Sequence, residues 1–376
     1  MPTPEVALAL ERTLHACNDA ANWLSGQAHE RGETSRKALQ GFAYRDLKGR
    51  GLSAQPALHV LRKVADAYTT LKANIRNGNL GKEGSKRRRK AESKPVTFRP
   101  DAAQPYDDRC LSWQIDEQTV SIWTTAGRIR GVRFTCSEQA RKLLAEYRKG
   151  ESDLVHRDGM WLLIATCEVS EAEQYEPDGF IGVDLGIANI ATTSTGYRAA
   201  GRDLNRRRKR HHDLRRKLQA KHTKSAKRRL KNRRRKEQRH AANVNHIISK
   251  KIVAEAERTS SGIALEDLGG IRQRVRLRKP QRVTLHSWAF AQLGAFVEYK
   301  AQRAGVPLVY VDPAYTSQEC AECHHIEKKN RVDQALFVCR RCGVVAHADR
   351  NASHVIGQRG EIVWNAGRES RVPATP

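Results

Sequence analysis

Apolar residues spaced three and four positions apart predict helices in the N-terminal part of the chain. One series runs from Ala7 to Leu24 and a second from Ala57 to Ile75, so the first seventy-odd residues are expected to be helical. Thr3-Pro4 supplies an N-cap and a first-turn residue for the first helix. Asn77-Gly78-Asn79 and the basic run Lys86–Lys90 then predict an exposed linker.

Short runs with the two-residue period of β-strands follow this linker. Turn residues separate them, which predicts an antiparallel meander or small barrel. These strands are expected at Cys110–Ile115, Val120–Thr124, Ile129–Phe134 and Trp161–Val169.

The second half of the chain alternates between strand and helix patterns. The last dozen residues, from Asn365, predict a disordered tail. Strands are expected at Ile181–Ile187, Ile190–Thr193, Gly262–Glu266 and Pro307–Val311.

The charge balance indicates a polyanionic partner. The chain has 69 Lys and Arg against 41 Asp and Glu, a formal net charge of +28. Nucleic acid is the usual partner of so basic a protein. No run approaches the roughly 18 apolar residues of a spanning helix, and the N-terminus does not have the pattern of a signal peptide. We therefore expect a cytoplasmic protein without a membrane partner.

The most specific motif is a pair of C-x-x-C sequences, Cys320/Cys323 and Cys339/Cys342. Two such knuckles brought together by a hairpin provide the four tetrahedral ligands of structural Zn²⁺. Four thiolates leave no open coordination position, so the metal is expected to stabilise the fold and not to activate water. Three nearby histidines are interpreted as surface or nucleic-acid-facing residues: His324, His325 and His347.

A second signal is a set of carboxylates at predicted element ends. Asp184 and Glu266 each occupy an otherwise apolar strand, where an uncompensated charge is costly. Alternation places Glu266 on the face of Ala264 and Asp267 on the other face, so Glu266 is preferred. Asp349 is expected to begin a helix after the cysteine motif, where the helix N-terminus favours a carboxylate. Taken singly, an Asp near a strand end is more often a cap or turn residue than a ligand.

Three carboxylates that converged on one point would repel one another unless divalent cations were bound between them. Hard oxygen ligands favour Mg²⁺ or Mn²⁺. Such a site is typical of two-metal phosphodiester hydrolysis, in which one ion activates water and the other stabilises the leaving oxygen.

The third signal is the segment Arg202–Arg239, with 20 Lys and Arg against three acidic residues, or +17 of the net charge. We interpret it as a helical hairpin that binds the phosphate backbone with steep salt dependence. Arg272–Lys279 adds a second basic strip. The hairpin residues expected to bind nucleic acid are Arg206, Arg207, Arg208, Lys209, Arg210, Arg215, Arg216, Arg228, Arg229, Arg233, Arg234 and Arg235.

Four motifs in one order resemble the TnpB family of insertion-sequence RNA-guided nucleases, which are related to compact type V CRISPR effectors. These are Gly182-Val-Asp-Leu-Gly-Ile, Ala264-Leu-Glu-Asp-Leu, Tyr315-Thr-Ser-Gln-Glu-Cys with its four cysteines, and Asp349-Arg-Asn-Ala. The resemblance implies a multidomain α+β protein with an RNase H-like (RuvC) core whose metal ligands are Asp184, Glu266 and Asp349. It also implies an inserted zinc ribbon, and an N-terminal antiparallel β-barrel (wedge) with a helical recognition lobe.

The resemblance further implies a guide RNA from the transposon end and cleavage of double-stranded DNA beside a short adjacent motif. It suggests the following division: helical lobe 1–90, wedge-like barrel 91–176, nuclease core 177–315 with the basic hairpin 202–258, zinc ribbon 316–344, last core segment 345–364 and tail 365–376.

Three departures from the family pattern are visible. Family members usually begin with a β-strand, whereas here Met1-Pro-Thr-Pro leads directly into the first helix. His347 stands where another acidic residue is frequent, and His354 where Asn is common. None of these changes removes a carboxylate of the triad. Two alternatives are therefore ranked lower: a guided DNA-binding regulator with weak or no cleavage, and an RNA-independent transposase.

Overall fold

A computed structural model describes residues 2–268 and 290–369 of the chain. It divides into two compact units, Met1–Val169 and Ser170–Pro376. Over the described residues, no helix is both long and apolar enough to cross a membrane. The basic strip Arg272–Lys279 lies outside the described residues.

The first unit begins with helices. They are α1 (Pro4–Arg31), α2 (Arg36–Gly49), α3 (Ala54–Arg76) and α4 (Lys86–Glu92). The side chains of Thr3, Ser35 and Ser85 each accept a backbone N–H from the first turn of the helix that follows, which satisfies a donor that the helix itself leaves unpaired. The apolar faces of α1, α2 and α3 form one buried core. The predicted linker Lys86–Lys90 forms part of helix α4, which has no buried residue.

Two three-stranded antiparallel sheets complete this unit, with orders β1-β5-β6 and β2-β3-β4. Both sheets and α1 contribute to one apolar core, in which Tyr106, Leu111 and Leu154 are buried. The meander predicted for β2, β3 and β4 is confirmed. The elements are β1 (Gln104–Tyr106), β2 (Leu111–Gln114), β3 (Thr119–Thr124), β4 (Gly127–Arg133), α5 (Glu138–Tyr147), β5 (Arg148–Arg157) and β6 (Met160–Cys167).

The second unit is built on a mixed five-stranded sheet with the order β11-β10-β7-β8-β9. Strands β7, β10 and β11 are parallel, while β8 and β9 continue from β7 as an antiparallel meander. The strands are β7 (Phe180–Asp184), β8 (Asn189–Thr193), β9 (Arg198–Ala200), β10 (Gly262–Glu266) and β11 (Leu308–Val311).

Helices cover both faces of this sheet. Apolar residues of α7 and α8 pack with Ile181, Val183 and Ile263 on one face, and α9 packs on the other face through Ile356. In the described part of this unit the helices are α6 (Arg202–Ala220), α7 (Lys224–Arg258), α8 (Phe290–Ala304) and α9 (Ala348–Glu369). Because α9 continues through Glu369, the prediction that a disordered tail begins at Asn365 is wrong for its first five residues.

The segment 316–344, called the ribbon below, lies between β11 and α9. A short 3-10 helix (Lys328–Asn330) precedes β12 (Leu336–Val338), which pairs antiparallel with β13 (Val345–His347). The buried Asn330 side chain donates to the carbonyls of Gln318 and His325 and accepts the N–H of Arg340. It thereby joins the two cysteine knuckles.

Candidate functional site

Asp184 and Glu266 lie at the carboxyl ends of adjacent parallel strands. Leu265 of β10 is level with Val183 of β7, so the next residues, Glu266 and Asp184, end the two strands side by side. Carboxyl ends of parallel strands are a common place for functional residues because the loops that follow diverge there.

The alternation of side chains puts both carboxylates on the face covered by α9. Ile263 and Leu265 pack into the core formed with α7 and α8, whereas Ala264 packs with Ile356 of α9. Successive strand residues point to opposite faces, so Glu266 shares the α9 face with Ala264. Asp267, the alternative weighed from the sequence, is exposed.

Glycines allow α9 to approach this face closely. A Cβ atom on Gly182 would lie 1.9 Å from the carbonyl oxygen of Ser353 and 2.3 Å from the backbone nitrogen of Gly357. A Cβ atom on Gly360 would lie 2.5 Å from that of Ala264. The close contact fixes α9 over β7 and β10, which brings Asp349, in the first turn of α9, towards the strand ends.

Asp349 is held by two donors from elsewhere in the unit. Its Oδ2 accepts from Nδ2 of Asn189 at 2.8 Å, and its Oδ1 accepts from Nη2 of Arg331 at 3.4 Å. The ring nitrogen Nδ1 of His347 accepts the backbone N–H of Asp349 at 3.2 Å. His347 therefore acts as a cap for the helix that carries the third carboxylate.

Glu266 has a different partner. Its Oε1 accepts a 2.6 Å hydrogen bond from Oγ1 of Thr316, and both residues are buried. Thr316 lies in the loop that follows β11, the neighbour of β10. The second and third carboxylates are thus each fixed by a side-chain donor.

The negative charges of Glu266 and Asp349 act on the pKa of Asp184. Burial, followed by the negative charges of Glu266 and Asp349, raises the pKa of Asp184 to about 8, although Arg331 acts in the opposite direction. Burial also raises the pKa of Glu266, against the hydrogen bond from Thr316 and the charge of Arg359. Such a cluster of oxygen donors is stabilised by divalent cations, so the residues present fit hard ions such as Mg²⁺ or Mn²⁺.

The four cysteines form a second centre. The Sγ atoms of Cys320 and Cys342 are 3.7 Å apart and those of Cys323 and Cys339 are 3.5 Å apart. Tetrahedral zinc with Zn–S bonds of about 2.3 Å requires sulfur atoms about 3.8 Å apart, so the thiols fit Zn²⁺. Over the described part of the chain, they are the one group of three or more His, Cys, Asp or Glu residues already close enough to hold a single metal ion.

The two knuckles have the same backbone geometry. Residues His324 and Gly343, each directly after the second cysteine, have φ angles of 55° and 75°. Their N–H groups donate to the carbonyls of Cys320 and Cys339. The histidines near the motif are not among the cluster: His324 contacts Glu319, His325 contacts Glu327 and His347 caps α9.

The basic segment forms the paired helices α6 and α7. Leu204 and Leu218 are its buried positions on α6. Most of the named cations on these helices are exposed, whereas Arg208 and Arg233 are half-buried. Some are paired within the hairpin, including Arg206 with Asp203 and Arg215 with Glu237. Arg234 and Arg235 lie on α7, but their side chains are outside the described set.

Comparison with known proteins gives several matches to this chain. A family model described as Cas12f1-like, TNB domain, matches residues 290–356. The CRISPR-associated endodeoxyribonuclease Cas12f1 of Sulfoacidibacillus thermotolerans is 42% identical over 113 residues, covering 30% of this chain and 25% of the relative. A TnpB-like protein of Methanocaldococcus jannaschii is 33% identical over 129 residues, covering 34% of this chain and 46% of the relative. Parts of the chain are therefore similar to Cas12f1 and TnpB-like proteins.

Two further matches cover more of the chain. The putative RNA-guided DNA endonuclease InsQ of Escherichia coli (strain K12) is 27% identical over 226 residues, covering 56% of each chain. The cryo-EM structure of a Cas12f1–sgRNA–target DNA complex matches with a TM-score of 0.55 and 15% identity, covering 93% of this chain and 82% of that chain. That structural match indicates a shared fold. The sequence alignments span between a quarter and little more than half of the curated relatives named here.

The fold also brings in site residues that the sequence patterns do not single out. They are Asn189, Thr316 and Arg331, which contact Asp349 or Glu266. The side chains of Asn189 and Arg331 carry no distinctive local signal. Thr316 stands in the motif Tyr315-Thr-Ser-Gln-Glu-Cys. The position of this motif directly before the cysteines is the sequence signal that could have indicated a role for Thr316.

Proposed function

We propose that the protein is an RNA-guided DNA endonuclease that binds a transposon-derived guide RNA and cleaves double-stranded DNA next to a short adjacent motif. The observation that carries this proposal is that Asp184 and Glu266 end adjacent parallel strands, where burial, followed by the charges of Glu266 and Asp349, raises the pKa of Asp184. The names of the relatives, which include a Cas12f1 endodeoxyribonuclease and an RNA-guided DNA endonuclease, support the same activity.

The topology of the second unit supports an RNase H-like core of the RuvC type. It has three parallel strands, an antiparallel meander that extends from β7, and helices on both faces, and Asp184 and Glu266 end adjacent strands. In this assignment the core comprises residues 177–315 and 345–364. The ribbon is inserted between β11 and α9 and is closed by one structural Zn²⁺.

Each carboxylate has a defined task in the proposed reaction. Mg²⁺ or Mn²⁺, when bound, supplies Lewis-acid activation of water and stabilisation of the leaving oxygen in phosphodiester hydrolysis. Asp184 and Glu266 present oxygens from rigid strand ends, and Asp349 presents its oxygens from the N-terminus of α9. Asn189, Thr316 and Arg331 orient these carboxylates, and Arg331 also provides positive charge beside the scissile phosphate.

The basic helices support a nucleic-acid partner. Arg202–Arg239 carries +17 of the net charge, and most of its described cations are exposed on α6 and α7. We assign this hairpin to the guide RNA and target DNA backbone, which implies strong salt dependence. The proposed activity takes place in the prokaryotic cytoplasm, at the nucleoid when DNA is bound.

The first unit is assigned to recognition. Its helices α1, α2 and α3 with the basic α4 form the proposed recognition lobe of residues 1–90, and the two antiparallel sheets form the proposed wedge of residues 91–176.

Purification from cells that carry the native locus tests the proposal. RNA that copurifies is sequenced, and the complex is tested for Mg²⁺-dependent cleavage of matching duplex DNA beside an Asp184→Ala control. We expect a discrete RNA and cleavage that the substitution abolishes. A discrete RNA without cleavage would favour a guided DNA-binding regulator, and protein free of RNA that still acts on transposon ends would favour a transposase.

A further inference from the structure

Glu266 accepts its hydrogen bond from Thr316, which lies between β11 and the first cysteine knuckle. Oγ1 of Thr316 lies 2.6 Å from Oε1 of Glu266 and 3.2 Å from the carbonyl oxygen of Pro313. Thr316 is 3% exposed, so water does not compete for this hydroxyl. With its hydroxyl held in this way, one oxygen of Glu266 has a fixed orientation.

The loop that carries Thr316 is itself restrained at its backbone. Tyr315, directly before Thr316, has a φ angle of 64°, a left-handed conformation that is uncommon outside glycine and persists where surrounding contacts impose it. Its carbonyl accepts the N–H groups of Gln318 and Glu319 at 2.8 and 3.0 Å. The position of the Thr316 side chain therefore depends on this turn.

Arg359 of α9 is the main contact that fixes the turn. Its Nη1 donates to the carbonyls of Asp312 and Ala314 at 2.8 and 2.9 Å. Its Nη2 pairs with Oε2 of Glu319 at 2.6 Å. One planar guanidinium thus joins the end of β11, the turn and Glu319, which directly precedes the first cysteine knuckle. A lysine cannot reproduce this geometry.

The first knuckle is attached to α9 by the same surface. Nδ2 of Asn351 donates to the carbonyl of Glu319, and its Oδ1 accepts the N–H of Ala321. Nε2 of Gln358 donates to the carbonyl of Ala321 at 2.9 Å. Helix α9 therefore contacts both the knuckle and the turn, and it carries Asp349 at its N-terminus.

We propose that Thr316 is the positioning residue of Glu266, and that Arg359 and Glu319 make its position depend on the docked ribbon. The cysteine centre then contributes to hydrolysis without touching substrate, because it fixes the turn that orients one carboxylate. This inference rests on the proposed metal site at Asp184, Glu266 and Asp349. Substitution of a residue that orients a metal ligand commonly weakens metal binding about tenfold or more.

The test compares Thr316→Val, which removes the hydroxyl but keeps the shape, with Thr316→Ser, which keeps the hydroxyl. Mn²⁺ is titrated into the full-length, zinc-loaded protein, and free Mn²⁺ is measured by electron paramagnetic resonance. We expect Thr316→Val to weaken Mn²⁺ binding about tenfold and Thr316→Ser to stay within about twofold of wild type. Zinc content and melting temperature are measured on the same samples, and both should remain at wild-type values.

Cleavage kinetics give an independent readout. Thr316→Val should raise the Mg²⁺ concentration for half-maximal rate about tenfold, while the rate at saturating Mg²⁺ recovers most of its wild-type value. A general structural defect would lower the saturated rate instead. Arg359→Lys should shift the half-saturating Mg²⁺ concentration in the same direction, whereas Arg350→Lys, at an exposed position of the same helix, should not.

The outcomes separate this inference from the function on which it rests. A Thr316→Val protein that is folded, zinc-loaded and binds Mn²⁺ like wild type overturns the role of Thr316 and leaves the proposed nuclease site standing. If Asp184→Asn leaves Mn²⁺ binding unchanged, the metal site is not at these carboxylates and both proposals fail. If Thr316→Val does not fold, equal Mn²⁺ binding by Arg359→Lys and wild type overturns the inference.

Discussion

The two candidate metal centres of the second unit are built in opposite ways. The four thiols come from two knuckles within 23 residues and are already grouped closely enough for one zinc ion. The three carboxylates come from two strands and a helix, and burial, followed by the charges of Glu266 and Asp349, raises the pKa of Asp184. A structural site can be assembled from local turns, whereas a catalytic site depends on the whole sheet.

Loss of the zinc centre should have the largest effect. Cys339→Ser removes one of the four ligands, and structural zinc binding amounts to about 10 kcal/mol or more in small domains. We expect zinc content to fall from one per chain towards zero and limited proteolysis to cut within residues 316–344. Cys136→Ser, at an exposed cysteine outside the cluster, serves as the control. A Cys339→Ser protein with full zinc content would contradict the four-thiolate assignment.

Removal of a carboxylate should abolish cleavage but leave the zinc centre intact. Asp184→Asn keeps the size of the side chain and removes the charge, so we expect the cleavage rate to fall about a thousandfold or more. Asp267→Asn, one residue beyond Glu266 and exposed, should keep activity within about threefold. Equal loss in both variants would argue against the face selected by strand alternation. Single-turnover cleavage assays on RNA-loaded protein measure both.

The same Asp184→Asn substitution should stabilise the metal-free protein at high pH. The pKa of Asp184 is raised to about 8 in the folded protein, so the folded state binds a proton that the unfolded state releases near pH 4. Stability from this group is therefore complete at low pH and is lost as the pH rises towards 8. We expect the variant to gain a few kcal/mol, on the order of 3, at pH 8.

This stability difference should shrink towards zero near pH 4. Denaturant unfolding in EDTA at pH 5 and pH 8 measures it, provided that zinc content is checked in each sample. A gain of equal size at both pH values would show that the substitution acts through packing and not through the buried charge.

The smallest expected effect concerns single cations of the hairpin. Arg229 is exposed on α7, and Arg229→Gln should lower the salt dependence of RNA binding by about one unit of log–log slope, with about 1 kcal/mol of affinity lost near physiological salt. Arg215 is already paired with Glu237, so Arg215→Gln should change the slope less. Filter binding at several salt concentrations distinguishes the two.

Sequence patterns predicted the parts of the molecule whose information is local. The spacing of the cysteines predicted their grouping, and the two-residue period predicted that Glu266 and Leu265 point to opposite faces of the sheet. By contrast, β5 (Arg148–Arg157) is polar and contains Gly150, so its pattern does not predict a strand; it forms because β1 and β6 pair with it. Helix α2 has three buried residues in 14, too few for a clear periodic signal.

The carboxylate site shows the same limit. Apolar strands with an isolated charge indicate Asp184 and Glu266, and a predicted helix start indicates Asp349, but no local pattern indicates their partners. Asn189 contacts Asp349 across 160 residues and Thr316 contacts Glu266 across 50. These pairings depend on how closely α9 approaches β7 at Gly182 and Gly357, which is a property of the folded sheet and not of any one segment.

The position of Asp349 on α9 also affects the order of events during synthesis. Asp349 lies 165 residues after Asp184, and the basic hairpin lies between them. At about 5–20 residues per second, the ribosome needs on the order of ten seconds or more to make that interval. The nascent chain therefore exposes its basic hairpin well before the last carboxylate is made. In the proposed function, this order lets a guide RNA bind before the chain is able to cut DNA.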